Sequence, residues 1–329
     1  MPVIMEKMLI YEISNGVGMR ARVLNYGASL THLWVPDAKG LVYDVLLGYD
    51  RPQDYLRKDN PYFNCTIGRY ANRIANSRFH RNGGKYELEN PGQKHLLHSG
   101  PMGFDKKYWE LISVEADSIV LQHTSPDGEG GFPGELTTRL TYRLTKDNTL
   151  QIRYLHICDQ DCPVGFTFHG YFNLSGEDLL SHRLWVDAPY YLEVDDELIP
   201  TGALKTVEHT AFDLRAGVNL GDLFSKGIYL DHCFASGVVN QIHRKARLQG
   251  SYLGMEVHSN MPGVQVYTGN GLNTDIKEVK NPHGYLPYTG ICLEAQYYPD
   301  APNHSSFPSP WLAAHSERED IIEYRFCAL

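Results

Sequence analysis

Helical periodicity is scarce in this chain of 329 residues. Only "RPQDYLR" and "VNLGDLFSKG" offer the spacing for a turn or two, which excludes a helical bundle. No apolar run approaches the roughly 20 residues that span a bilayer. The amino-terminal stretch "MPVIMEKMLIYEIS" lacks the basic segment, long apolar stretch and small-residue cleavage site of a signal peptide. Cys327, in "FCAL", stands one place too late for a prenylation box. A cytoplasmic protein without membrane contact is expected. Lys and Arg number 30 against 39 Asp and Glu, a net charge of −9, and no cationic run is present. Such a surface repels phosphate backbones, so nucleic acid is not an expected partner and a neutral or cationic small molecule is.

Reactive motifs are equally sparse. The six cysteines are scattered, and only Cys158 and Cys162 lie close, with no second pair to complete a zinc set. Reduced, structural thiols are expected. Fifteen histidines include His95 and His98 in "KHLLHSG", but the segment does not read as helical and no HExxH occurs. No GxSxG marks a nucleophile, and no GxGxxG follows a strand to cradle a dinucleotide. The expected cofactor and metal content is none.

What the chain does have is period two. In "LTTRLTYRLT", Leu136, Leu140, Tyr142 and Leu144 fall on one parity, and Arg139 and Arg143 on the other. "KDN" then turns the chain into "TLQIRYLHI", so 135–157 reads as an antiparallel hairpin. Shorter strand patterns recur at 8–13, 18–24, 29–35, 84–88, 107–115, 118–125, 183–187, 190–194, 229–234, 254–259, 263–269 and 289–295. Thirty glycines and 18 prolines punctuate them. The class is all-β, many antiparallel strands in packed sheets. No linker, composition shift or fixed repeat interrupts it, so one continuous domain over 1–329 is expected.

Polar residues that break strand patterns are the candidates for chemistry. In "GICLEAQYYPDAPNH", Ile291, Leu293 and Ala295 share one parity, and Glu294 and Gln296 the other. Glu294 is either on an exposed strand face or a carboxylate in a pocket walled by aromatics such as Tyr297 and Tyr298, where burial raises its basicity. "LDHCF" puts Asp231 in a strand-like segment, a strand-end turn or a site residue. "GRYANRI" gathers Arg69, Asn72 and Arg73, either a solvated loop or a set of donors for a polyhydroxylated ligand. "HLLHSGPMGFDKKYW" carries His98 in a glycine-bearing loop. "GFTFHGYFNLSG" sets His169 among aromatics, where a histidine that merely fills the core is the ordinary reading.

Together these stretches, with "SPDGEGGFPGEL", "GVQVYTGN" and "LEAQYYPDAPNHSSFPSP", occur in the order of the aldose 1-epimerase (galactose mutarotase) family, which the chain resembles from "LNYGASL" near residue 24 almost to its end. The resemblance implies a large antiparallel β-sandwich of the galactose mutarotase-like type. It implies an isomerase that interconverts α and β anomers of free aldoses such as galactose and glucose, without cofactor or metal, as a monomer or homodimer. It implies Glu294 as general base and His169 as general acid. Asn72, Arg73, His98, Asp231 and Gln265 match the positions that hold sugar hydroxyls or support the acid. The family commonly carries Asn where this chain has Phe168, and glycine where it has Ser99.

Anomer exchange needs a base at the O1 hydroxyl and an acid at the ring oxygen, with the roles reversed on closure. A carboxylate in the pocket, Glu294 or Asp231, is expected to keep His169 cationic at rest. A hexose phosphate would call for an arginine cluster, with Arg69 and Arg73 the candidates. A disaccharide, a non-catalytic sugar binder and a two-carboxylate glycosidase built on Glu294 and Asp231 are the other readings.

Overall fold

The computed structural model describes residues 7–176 and 178–329. The opening six residues of "MPVIMEKMLIYEIS" lie outside the described residues. The expected hairpin is present as Leu136–Leu144 and Thr149–Cys158, in register from Leu136 opposite Cys158 to Leu144 opposite Leu150. It forms the middle of a nine-stranded antiparallel sheet. In it Leu136, Leu140, Tyr142 and Leu144 are buried, and Arg139 and Arg143 are exposed. A six-stranded sheet runs in the order Tyr171–Phe172, Ile291–Gln296, Gly263–Tyr267, Asp231–Ala235, Tyr190–Val194 and Pro200–Thr206. A four-stranded sheet from Ile10–Ser14 to Val42–Asp44 completes the large elements. The one α-helix among the described residues, Leu220–Ser225, falls in "VNLGDLFSKG", and Pro52–Leu56 in "RPQDYLR" makes a 3-10 turn.

The chain's longest strand, Glu317–Ala328, does not announce itself by alternation. It lies inside the nine-stranded sheet, between Thr149–Cys158 and Leu253–Ser259. Its buried positions include Asp320 and Glu323, which break the apolar pattern. Each has a partner: Arg318 Nη2 bonds Asp320 at 3.0 Å, and Gln151 Nε2 donates to Glu323 at 2.8 Å. Paired carboxylates are tolerated where lone ones are not; Arg318 lies two residues along the same strand, and Gln151 faces Glu323 from the neighbouring one.

One hydrophobic cluster runs through all three sheets and includes Leu293, Val264, Ile322, Tyr324 and Ile152. Tyr324 donates its hydroxyl to the Leu293 carbonyl at 3.0 Å, tying the nine-stranded sheet to the six-stranded one. Phe168 belongs to this core. It is fully buried, with its ring 5.9 Å from that of Tyr324 and 6.4 Å from those of Tyr142 and Phe172. The side chain that departs from the family pattern is therefore a packing residue, turned away from the pocket described below.

Removing that ring tests the packing. Phe168→Ala is expected to cost about 3–5 kcal/mol in urea unfolding. Phe168→Asn, which buries an unpaired amide as well, should cost at least as much.

Candidate active site

The pleat of the six-stranded sheet builds the floor of the site. Strand Gly263–Tyr267 lies between Asp231–Ala235 and Ile291–Gln296. In register, Gln265 faces Cys233 on one side and Glu294 on the other, and Tyr267 faces Asp231 and Cys292. Side chains alternate along a strand, so these six share one face. Val264, Val266, Leu293 and Ala295 take the other face and fill the core. The parity read in "GICLEAQ" is thus real, but Glu294 does not sit on an exposed face. All six residues of its strand are buried, and its Oε2 has no hydrogen-bond partner among the described residues.

The same alternation delivers His169. Thr66 pairs with Phe168 across a short antiparallel bridge. The His169 N–H donates to the Cys65 carbonyl, and its carbonyl accepts from the Asn64 N–H, both at 3.0 Å. With Phe168 turned into the core, His169 turns out of it. Its Nε2 comes to 3.9 Å from Glu294 Oε1, a separation that a small proton-bearing group can bridge. Tyr171, His98 and Tyr62 surround the ring, with centroids 5.1, 5.4 and 5.7 Å away.

The loops "GRYANRI" and "HLLHSG" meet as a second wall. Arg73 pairs with Leu97, and the Asn72 N–H donates to His98 Nδ1 at 3.2 Å. Since Nδ1 accepts, a neutral His98 carries its proton on Nε2 and can only donate from there. Ser99 sits at φ +61, a left-handed backbone that glycine adopts more easily. Its hydroxyl accepts from the Tyr70 N–H at 2.8 Å and donates to the Tyr70 carbonyl at 3.2 Å, clamping the loops together.

Between floor and wall lies a cavity of ≈ 240 Å³, suited to a single small ligand. All seven residues singled out in the sequence line it: Asn72, Arg73, His98, His169, Asp231, Gln265 and Glu294. Gln265 Nε2 donates to Asp231 Oδ1 at 2.6 Å, leaving the buried Gln265 Oε1 without a partner. The aromatic lining is Tyr62, Tyr171 and Tyr267, which the sequence reading did not select; Tyr297 and Tyr298, expected there, pack in the hydrophobic core instead. Tyr171 and Tyr267 lie inside quoted stretches on the right parity, so pairing them with Glu294 would have found them. Tyr62 carried no such signal.

Arg69 and Arg73 part company. Arg69 is buried, and its guanidinium donates to the Ser125 hydroxyl and to the carbonyls of Ser125, Pro126 and Pro133 at 2.8–3.0 Å. It holds the "SPDGEGGFPGEL" loop and does not reach the pocket. Arg73 alone of the two lines the cavity, so the arginine cluster that a phosphate would require is not assembled.

Burial dominates the electrostatics. It pushes Glu294 well above the usual carboxylate range, and Asp231 adds to the rise. It pulls His169 down to about 4, partly offset by the residue's own backbone carbonyl. It also pulls His98 well down, helped by His169, Lys106 and Arg73. The expectation of a cationic His169 at rest is therefore corrected. Within the pocket, desolvation favours the neutral ring and a protonated Glu294. His169, Cys292 and Glu294 offer three ligand atoms within 4.8 Å of one another. On tetrahedral zinc, with bonds of roughly 2.0–2.3 Å, such atoms lie within about 3.8 Å of one another.

The aldose 1-epimerase family model matches residues 10–325. The chain belongs to the aldose 1-epimerase family. It is accordingly an isomerase. It is 36% identical to the galactose mutarotase of Bos taurus over 315 residues, covering 94% of this chain and 91% of that one. To the aldose 1-epimerase of Escherichia coli K12 it is 35% identical over 329 residues, covering 96% and 94%. Among solved structures, a GalM/aldose epimerase homologue from C. elegans superposes with a TM-score of 0.90 at 28% identity, covering 98% of this chain and 100% of that one.

The two arginines give this enzyme a discriminating pair of variants. Arg69→Met should lose about 2–4 kcal/mol of stability, because several buried acceptors lose their donor. Arg73→Met should change stability by less than about 0.5 kcal/mol and act on sugar affinity. Urea melts and sugar titrations of both variants check this.

Proposed function

We propose that the enzyme interconverts the α and β anomers of free hexoses such as galactose and glucose, with Glu294 as general base and His169 as general acid. The observation that carries this reading is the Glu294–His169 pair, 3.9 Å apart at the floor of a buried pocket. Burial opposes charge on either group, so the pair by itself favours one shared proton, held on Glu294. A bound sugar changes that balance. Hydroxyls donating to the unpartnered Glu294 Oε2 favour the carboxylate, and the carboxylate in turn favours the imidazolium.

From that state the reaction needs no other reactant. Glu294 takes the O1 proton while the bond between C1 and the ring oxygen breaks, and His169 Nε2 gives its proton to the ring oxygen. The aldehyde turns about C1–C2, and closure on its other face returns both protons. Each positioned transfer is worth about 10²- to 10⁴-fold. Around the reacting atoms, His98 Nε2–H, Asn72 and Arg73 supply donors, and Asp231 and the free Gln265 Oε1 supply acceptors for sugar hydroxyls. The glycosidase reading has less support. Asp231 is engaged by Gln265, and that scheme leaves His169 without a task.

Polarimetry of freshly dissolved α-glucose and α-galactose tests the activity, with accelerated relaxation and no change of sugar identity expected. Glu294→Gln and His169→Asn should each lower kcat by at least about 100-fold while sugar binding persists. Near-normal turnover in either variant removes that residue from its role. The pH profile follows from the burial. The pair takes up a second proton only as pH falls toward the lowered His169 value, about 4. We therefore expect kcat/KM to stay level through pH 6.5, the ordinary histidine range, and to drop only near pH 4.

A further inference from the structure

Cys292 is a buried thiol that this acid–base scheme leaves unused, yet it touches the proposed acid. Its Sγ lies 3.6 Å from His169 Nδ1. It stands two residues before Glu294 on the same strand face, with Tyr267 and Tyr171 as its register neighbours. His169 thus meets a carboxylate at one ring nitrogen and a thiol at the other. The other groups facing the ring are Tyr62, Tyr171, Tyr267 and His98, together with its own backbone carbonyl. Burial holds the three tyrosines un-ionised and His98 neutral.

We propose that Cys292 is a positioning residue whose sulfur accepts the His169 Nδ1–H and so keeps Nε2 as the nitrogen that exchanges protons with the sugar. The proposal rests on the reading of His169 as the acid. An imidazolium that delivers its proton from Nε2 ends as the Nδ1–H tautomer, and that tautomer needs an acceptor at Nδ1. A carboxylate there would hold the ring but would also stabilise the imidazolium and make it a reluctant donor. A neutral thiol is a weak acceptor. It orients the ring and leaves the Nε2 proton mobile. Burial, with Glu294 and Asp231 adding to it, pushes the Cys292 thiol well above its ordinary range, so the sulfur stays uncharged beside the ring.

Nitrogen-15 NMR of the histidine rings in the folded enzyme, with His169 assigned through His169→Asn, tests this directly. In the wild type, neutral His169 should carry its proton on Nδ1. Cys292→Ser should keep that tautomer and, oxygen being the stronger acceptor, raise the imidazolium pKa by about one unit. Cys292→Ala should let the Nε2–H form appear and lower kcat about tenfold, with KM changed less than about twofold. A proton resident on Nε2 in the wild type overturns the proposal. So does a Cys292→Ala enzyme whose tautomer and pH profile are unchanged. If the alanine variant does not fold, the wild-type and serine spectra decide. Failure of the acid reading is distinguishable, because His169→Asn then keeps its turnover whatever the tautomer.

Discussion

Two groups that each resist charge are held 3.9 Å apart at the bottom of a buried cavity, and the rest of the site is arranged around that constraint. Neither Glu294 nor His169 is unusual by itself. Burial raises the first and lowers the second, so a proton shared by the two rests on Glu294. In water the same two side chains would form a carboxylate and a largely neutral imidazole with no reason to trade protons. Desolvation favours the neutral form of each instead.

Holding such a pair takes rigid backbone on both sides. Glu294 is on a strand buried at every position, hydrogen-bonded to neighbours that present Gln265 and Tyr267 at fixed register. His169 is pinned through its own N–H and carbonyl to the 64–65 segment. The loops that carry Asn72 and His98 are clamped to each other by Ser99 and by the Asn72–His98 bond. Arg69, invisible from the pocket, anchors one of those loops to the "SPDGEGGFPGEL" turn. Precision at the site therefore depends on hydrogen bonds several residues away from the reacting atoms.

The two histidines show how one residue type is given two tasks. His98 accepts a backbone N–H at Nδ1, so in its neutral form it offers a fixed donor at Nε2. His169 has no such donor at Nδ1 and faces a sulfur there instead. The backbone N–H commits His98 to one role, whereas His169 stays able to gain and lose a proton.

Much of this was legible before the structure. Alternation in "LTTRLTYRLT" and "GICLEAQ" predicts the strands and their buried parity, because a pleat has a strict period of two. The order of the motifs points to the family, and all seven selected residues converge on one cavity. The sequence alone could not show that Glu317–Ala328 is a central strand, because its buried carboxylates are compensated by Arg318 on the same strand and Gln151 on the adjacent one, pairings that only the folded sheet displays. Nor could it separate Arg69 from Arg73, which lie four residues apart in one loop and face opposite ways. The protonation of His169 was misjudged for a related reason. Charge partners can be guessed from composition, but desolvation depends on what surrounds a group in space, and here it outweighs the carboxylate. The sequence by itself determined the strand pattern and which chemical groups are available. Tertiary structure decided which of them are dry, which are already satisfied, and which nitrogen of each histidine is already engaged.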